Sequence, residues 1–493
     1  MSNTTTAEIQ NFQGKYPKQL WYLFFSEMWE RFSFYGMRGM LTYFMVNQLM
    51  MNERDANLQY GATQAFVYAF TFIGGLFADK ILGFRKSLFW GGILMIIGSV
   101  ILAMNPKEFF FLGIAFNIIG TGFFKPNIST MVGRLYKDND DRRDAGFSLF
   151  YSGINIGALL GGYACIALGK SYSWNVAFGL AAVVMTISLL TFIFTQKQMG
   201  DIGVSPLLTE DDAVRKRKEW MVFIGSVLCI PLISIMVKQT EYTDYFMYAI
   251  GPITLLYFVI ETLKLKMDEQ KKMWAALIFI VFSILFWAFF EQSGGSLSIF
   301  AANHLGSELL GSITVDPNGV NNAANSLFVI LFAPVLGILW IAMSRRKMEP
   351  NTTVKFGLGF IFLGFAFLIF YATIFMADAN GITSLDVFTM AYFIITLGEL
   401  CLSPIGLSIM TKLAPTHLQG MMMGMWFLAS AYGQYVAGIL GAGMSTPGEN
   451  ATALEKLTAY TNGYQQLAWI AIGAGLVLFL LSPIVKKLMQ DVK

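Results

Sequence analysis

Apolar segments of membrane-crossing length recur along the whole of this 493-residue chain, and they leave it few folds to choose from. Windows of ~19 residues pick out fourteen of them: 21–50, 60–79, 87–104, 109–133, 146–168, 174–195, 220–237, 245–263, 273–302, 324–343, 356–377, 386–411, 420–443 and 463–485. Each is near or above the ~20 residues a helix needs to traverse the hydrocarbon. The longer ones tilt or run past the bilayer. Lipid cannot satisfy the backbone groups of an open strand, so the segments must be helices. The expected fold class is an all-α polytopic membrane protein with 14 transmembrane helices. The composition agrees: 55% hydrophobic and 13% charged, against about 25% charged in soluble chains.

Loop charge orients the spans. With the N-terminus placed inside, the outside loops hold only Arg54, Lys107, Lys170, Lys238 and Lys456. Arg31, Arg38 and Lys125 fall within spans, and every other of the 34 Lys and Arg residues falls in an inside loop or tail. Basic residues accumulate on the cytoplasmic side, so both termini are expected in the cytoplasm. Dropping one span would invert every later loop. The longest cytoplasmic connection, 196–219, reads DIGVSPLLTEDD and then RKRK. It leaves six spans before it and eight after. The expected organisation is a six-helix bundle over 1–195, a linker with two inserted spans over 196–271, and a second six-helix bundle over 272–493. The inserted spans contain only Glu261, near one end, which reads as packing rather than chemistry.

Other functional classes find little support. Cys165, Cys229 and Cys401 all sit in apolar runs, in no disulfide or CxxC pattern. His304 and His417 match no zinc spacing. The residues before Tyr16 are polar, so no cleavable signal peptide is expected. A net charge of +3 gives no case for nucleic-acid binding. No nucleophile–base set or metal cluster suggests an enzyme, and no resident cofactor is expected.

Seven charged residues lie well inside spans: Glu27, Glu30, Arg31, Arg38, Lys125, Glu291 and Glu399. A charge near the bilayer centre costs at least a few kcal/mol. Within SEMWERFSFYGMRG, positions 27, 30, 31, 34 or 35, and 38 share one helical face. That face must line a protein interior or a wet cavity. Paired struts are the bland explanation, but desolvation makes buried pairs weak stabilisers, and intramembrane charge ordinarily marks an ion or substrate path. The glycines of GINIGALLGG, 153–162, read chiefly as close helix packing, with Asn155 a buried amide that needs partners. Pro126, Gly294–Gly295 and Pro404 follow Lys125, Glu291 and Glu399 and can bend their helices. The 28 methionines read as packing filler.

Six motifs together resemble the proton-dependent oligopeptide transporters, a branch of the major facilitator superfamily. Glu27-Met-Trp-Glu30-Arg31-Phe32 resembles the family's ExxERF motif and is followed by Tyr35. GGLFADKILGFRK (74–86) resembles the superfamily's cytoplasmic loop motif. GTGFFKPN (120–127), YSGINIG (151–157), FWAFFEQ (286–292) and GELCLSP (398–404) match family segments in order and spacing. The likeness extends over essentially the whole chain, the two extra helices of bacterial members included.

The resemblance implies two six-helix bundles around one cavity that opens alternately to each side. Arg31 and Lys125 would attract the peptide carboxylate. Glu399, with Asn155 and Asn325, would hold the amino group. Tyr35, Tyr68, Trp287 and Trp426 would shape side-chain pockets, with Arg38 and Ser430 also at the substrate. Glu27, Glu30, Arg31 and Glu291 would couple the proton. Arg38 with Glu291, and Lys125 with Glu399, would be gate pairs, while Asp79, Arg85 and Lys86 would latch helix ends. Phe34 stands where the family often has Tyr, so one phenolic hydroxyl is missing from the pocket. The implied protein is a monomeric symporter of the bacterial cytoplasmic membrane. It would import di- and tripeptides on a proton gradient. No GxxxxGK[ST] loop suggests ATP as an alternative drive. The same fold carrying nitrate, an amino-acid conjugate or a drug is the rival reading, against which Glu399 offers an amine-binding carboxylate.

Overall fold

The computed structural model describes residues 5–137, 140–445 and 451–490. The chain forms two compact units: Met1–Leu41 with Phe66–Gln239, and Thr42–Ala65 with Thr240–Lys493. The first contains α1 (Thr6–Gln10), most of α2 (Lys18–Asn47), the second half of α3 (Glu53–Phe77), α4 (Phe84–Met104), α5 (Phe110–Gly133), α6 (Arg142–Ser171), α7 (Trp174–Thr195) and α8 (Asp212–Lys238). The second contains the outlying ends of α2 and α3, then α9 (Thr240–Leu263), α10 (Met267–Phe290), α11 (Ser296–His304), α12 (Pro317–Arg345), α13 (Thr352–Ala372), α14 (Leu385–Leu413), α15 (Gln419–Met444) and α16 (Ala453–Met489). A two-residue antiparallel ladder pairs Glu308–Leu309 with Ile313–Thr314, and an isolated bridge joins Leu305 to Thr383.

A long helix lies over each predicted apolar segment. Among the described residues, 11 helices meet the length and hydropathy needed to cross a membrane. Lys18–Asn47, Phe110–Gly133 and Gln419–Met444 fall outside that set. The first is diluted by its own charges; the other two are rich in glycine and polar residues. The segment predicted as one span over 273–302 lies within one candidate span, Met267–His304, whose α-helix is interrupted. Helix α10 ends at Phe290, a 3-10 turn covers Glu291–Ser293, and α11 starts at Ser296. Gly294 and Gly295 occupy the break. The side chain of Pro404 lies outside the described residues.

Side-chain caps set several boundaries. Ser173, Asp211, Asp316, Asn351 and Ser384 each accept a backbone N–H in the first turn of the helix that follows. Thr452 and Glu455 close a capping box on α16. Between α5 and α6 Arg142 binds Asp140 and the carbonyls of Phe12 and Gly14, and its hydrogen bonds draw the Asp140 carboxyl down to about 2. Burial pushes the neighbouring Tyr136 phenol up to about 12.

The GINIGALLGG glycines form a groove along α6. Gly153 meets the Phe24 ring, Gly157 the Met28 carbonyl and Gly161 the Phe32 carbonyl, so α2 seats on α6 at a four-residue period. A Cβ on Gly157 would collide with the Met28 backbone and stand 3.0 Å from the Arg31 Cβ. Gly157→Val should therefore cost roughly 1–3 kcal/mol of overpacking, read as a lower melting temperature in detergent. An unchanged melting temperature would show slack in this seam.

Candidate functional site

In the first unit, the α2–α6 seam brings Arg31 into the interior at 1% exposure, beside Glu27 at 2% and Glu30 at 0%. Arg31 Nε lies 2.9 Å from Glu27 Oε1 and 2.5 Å from Glu30 Oε2. Both carboxylates thus stand at the Nε edge of one guanidinium. Glu27 Oε2 and Glu30 Oε1 accept no hydrogen bond among the described residues. Lys125, from α5, lies close enough for its charge to act on both glutamates, and its Nζ stands 4.5 Å from the centre of the Tyr68 ring. Arg31 also feels Tyr35 and Tyr68, and its guanidinium carbon sits 5.3 Å from the centre of the Phe34 ring. Two anions and two cations so share one buried neighbourhood. Arg38 lies two turns on, over the Tyr35 ring at 5.6 Å. Asn155 donates its amide to Tyr151 of its own helix at 2.9 Å.

In the second unit, Asn325 of α12 donates to Glu399 Oε2 of α14 at 2.8 Å and to Thr396 Oγ1 at 3.1 Å. Glu399 is 8% exposed. On α15, Trp426 packs against Gly406, and the Ser430 hydroxyl donates to the Trp426 carbonyl at 3.3 Å. Trp287 packs on α15 at Gly433 and makes edge contacts with Phe286 and Phe290. Glu291 is buried at the C-terminal end of α10. Gln292 beside it donates to the carbonyls of Ala288 and Ala437 and accepts from Ser296.

A third cluster lies at the loop after α3. Arg85 donates to the carbonyls of Ile202 and Gly200, and its own N–H bonds Gly203. Ser205 donates to the Ile81 carbonyl at 2.6 Å. Lys86 pairs with Glu219 of α8 at 2.6 Å. Gly83 takes a φ of +74° against Val204 and Ser205, where a side chain would collide. Asp79 lies in the π turn Ala78–Leu82, within the field of Arg134. The loop motif thus grips the linker that follows α7. Arg85→Ala should release residues 200–205, with nicking by a broad-specificity protease rising about tenfold as charged hydrogen bonds are lost. Equal nicking rates would show that the backbone contacts suffice.

Sequence reasoning missed two polar sets in the second unit. Tyr460 donates to Glu53 at 2.5 Å and meets Ser445. Tyr435 donates to Asp244 at 2.5 Å. Glu53 and Asp244 lie just outside the apolar windows, so both read as loop residues. Their helices extend past those windows and carry them into packed surroundings.

The profile of the POT family (PTR2) matches residues 85–459. The transporter YclF of Bacillus subtilis is 33% identical over 97% of this chain and 96% of its own length. The peptide transporter YePEPT of Yersinia enterocolitica is 34% identical over 89% of this chain and 90% of its own. A crystal structure of a peptide transporter POT variant in complex with alafosfalin superposes with a TM-score of 0.83, at 33% identity and 98% coverage of both chains.

Proposed function

The chain belongs to the POT family of multi-pass membrane transporters, and from that membership we propose that it is a symporter importing di- and tripeptides with protons by alternating access. The observation that carries this reading is that each unit holds a charged cluster of its own. Arg31 and Lys125 offer cations in one unit, and Glu399, held by Asn325, offers a carboxylate in the other. A zwitterionic peptide presents the complementary pair of ends. Contacts to the termini tolerate varied side chains, so broad selectivity follows.

In this scheme Arg31 and Lys125 take the peptide carboxylate, while Glu399 and Asn325, with Asn155, take the ammonium group. Tyr35, Tyr68, Trp287, Trp426 and Ser430 line the side-chain pockets. Glu27 and Glu30 carry the proton step with Arg31, and Glu291 is paired with Arg38 in gating. Lys125 and Glu399 form the second gate pair, and Asp79, Arg85 and Lys86 act as the cytoplasmic latch. The organisation is two six-helix bundles, 1–195 and 272–493, joined by the linker and inserted pair 196–271. The carrier works as a monomer in the bacterial cytoplasmic membrane with both termini inside. Its drive is the proton gradient, with no resident cofactor.

The test is uptake into proteoliposomes under an imposed pH gradient, with a panel of dipeptides, tripeptides, amino acids and nitrate. Concentrative uptake confined to peptides supports the reading. Uptake of nitrate alone, or uptake indifferent to the pH gradient, overturns it.

A further inference from the structure

The two inserted helices do not form a detached pair. The boundary between the compact units falls between Gln239 and Thr240, in the one-residue turn that joins α8 to α9. Helix α8 is built onto the first unit. Trp90 donates to Ser226 at 2.9 Å and packs its ring on Phe223, and Lys86 pairs with Glu219. Helix α9 is built onto the second unit through α15 and α10. Tyr435 donates to Asp244, and Tyr432 donates to the Met247 carbonyl. Gly251 lies against the Tyr432 ring, where a Cβ would collide. Farther along, Phe258 meets Trp274 of α10 edge-on.

Helical geometry gives these contacts a direction. On α15, Trp426, Ser430, Gly433 and Ala437 follow four- and three-residue steps and share one face. That face packs on Trp287 and accepts from Gln292. Tyr432 and Tyr435 point roughly the other way, toward α9. The helix that presents Trp426 and Ser430 is therefore held from behind, and a carboxylate–phenol hydrogen bond is among the stronger contacts that hold it. Asp244 is part-buried, and Tyr435 is 7% exposed.

We propose that Asp244 is a positioning residue for transport: through Tyr435 it fixes the rotation of α15 from the side opposite Trp426 and Ser430. This rests on the peptide-symporter reading. Asp244 touches no substrate. It acts by keeping Trp426 and Ser430 aligned, so its loss should show in substrate affinity before it shows in stability.

The experiment measures KM and kcat for dipeptide uptake in proteoliposomes, with melting temperature, for Asp244→Ala, Asp244→Asn, Tyr435→Phe and the Ala/Phe double variant. Asn keeps an acceptor for the phenol. The expected result is about a tenfold rise in KM for Asp244→Ala and for Tyr435→Phe, the loss of one charged hydrogen bond. The double variant should be no worse than either, since both remove the same contact. Asp244→Asn should recover most of the wild-type KM, and melting temperatures should stay near wild type. Wild-type KM in both single variants overturns the proposal. So do losses that multiply in the double variant, or KM changes that follow the melting temperature and are not rescued by Asn. Wild-type protein that transports no peptide refutes the functional reading instead. In that case Asp244 is tested by the same four proteins with whichever solute the panel identifies.

Discussion

Dipeptide uptake should fall about tenfold to a hundredfold in Lys125→Ala and in Glu399→Ala, the loss of one charge-assisted contact to a substrate terminus in each case. Lys125 adds its charge to the buried Glu27, Glu30 and Arg31 set, so its removal leaves that set short of a cation as well. Glu399 is held at 2.8 Å by Asn325, which fixes the position of its carboxylate. Assigning a terminus to each residue makes a sharper demand. Acetylating the peptide amine should weaken binding to the wild type, and should add nothing once Glu399 is alanine, because the partner is already gone. Amidating the peptide carboxylate should interact in the same way with Lys125. Undiminished uptake in either variant, or an acetylation penalty that persists in full in Glu399→Ala, would sink the assignment.

The membrane fold was legible because lipid imposes it. Long apolar windows and the loop distribution of Lys and Arg carry the physics of insertion directly in composition. The buried face of α2 was legible for the same reason, since Glu27, Glu30 and Arg31 stand out only against an apolar background. Helix ends were less so. Asp244 and Glu53 lie beyond the hydropathy windows, yet caps and packing carry α9 and α3 outward and bring both carboxylates onto tyrosines. Nothing in the local pattern around Tyr435 or Tyr460 announces a partner 191 or 407 residues away. The break after Glu291 was half legible: Gly294–Gly295 signalled a weak point, but not that the helix would end and restart there. Sequence read the two inserted spans as an insertion that packs against lipid or the bundles. The division of α8 and α9 between the units depends on tertiary contacts such as Trp90 with Ser226, which no window of hydropathy contains.

Concentrative, pH-driven uptake should stop in Glu27→Gln and Glu30→Gln, while exchange of peptide for peptide survives. The two carboxylates stand at the same edge of one guanidinium, 2.9 and 2.5 Å from Arg31 Nε, and Glu27 Oε2 and both oxygens of Glu30 accept no hydrogen bond among the described residues. A substrate carboxylate that engages Arg31 competes with them for that edge. A glutamate displaced from its cation in a site this buried is stable only as the protonated acid. Peptide binding and proton uptake are then linked without any direct contact between the two. Gln keeps the shape of Glu and can still accept a hydrogen bond from the guanidinium, but it cannot exchange a proton reversibly. A loaded carrier can swing both ways without net proton transfer, which is why counterflow is the companion measurement. The double Gln variant leaves Arg31 with no carboxylate among the partners it now pairs with, and breaking a buried pair costs about 3–5 kcal/mol. Melting temperature must therefore accompany both transport assays. If the glutamates merely brace the bundle, stability, accumulation and counterflow should decline together. Accumulation at the wild-type rate in a stable double variant would place the proton elsewhere, and Glu291 and Glu399, the remaining intramembrane carboxylates of the second unit, would be substituted next.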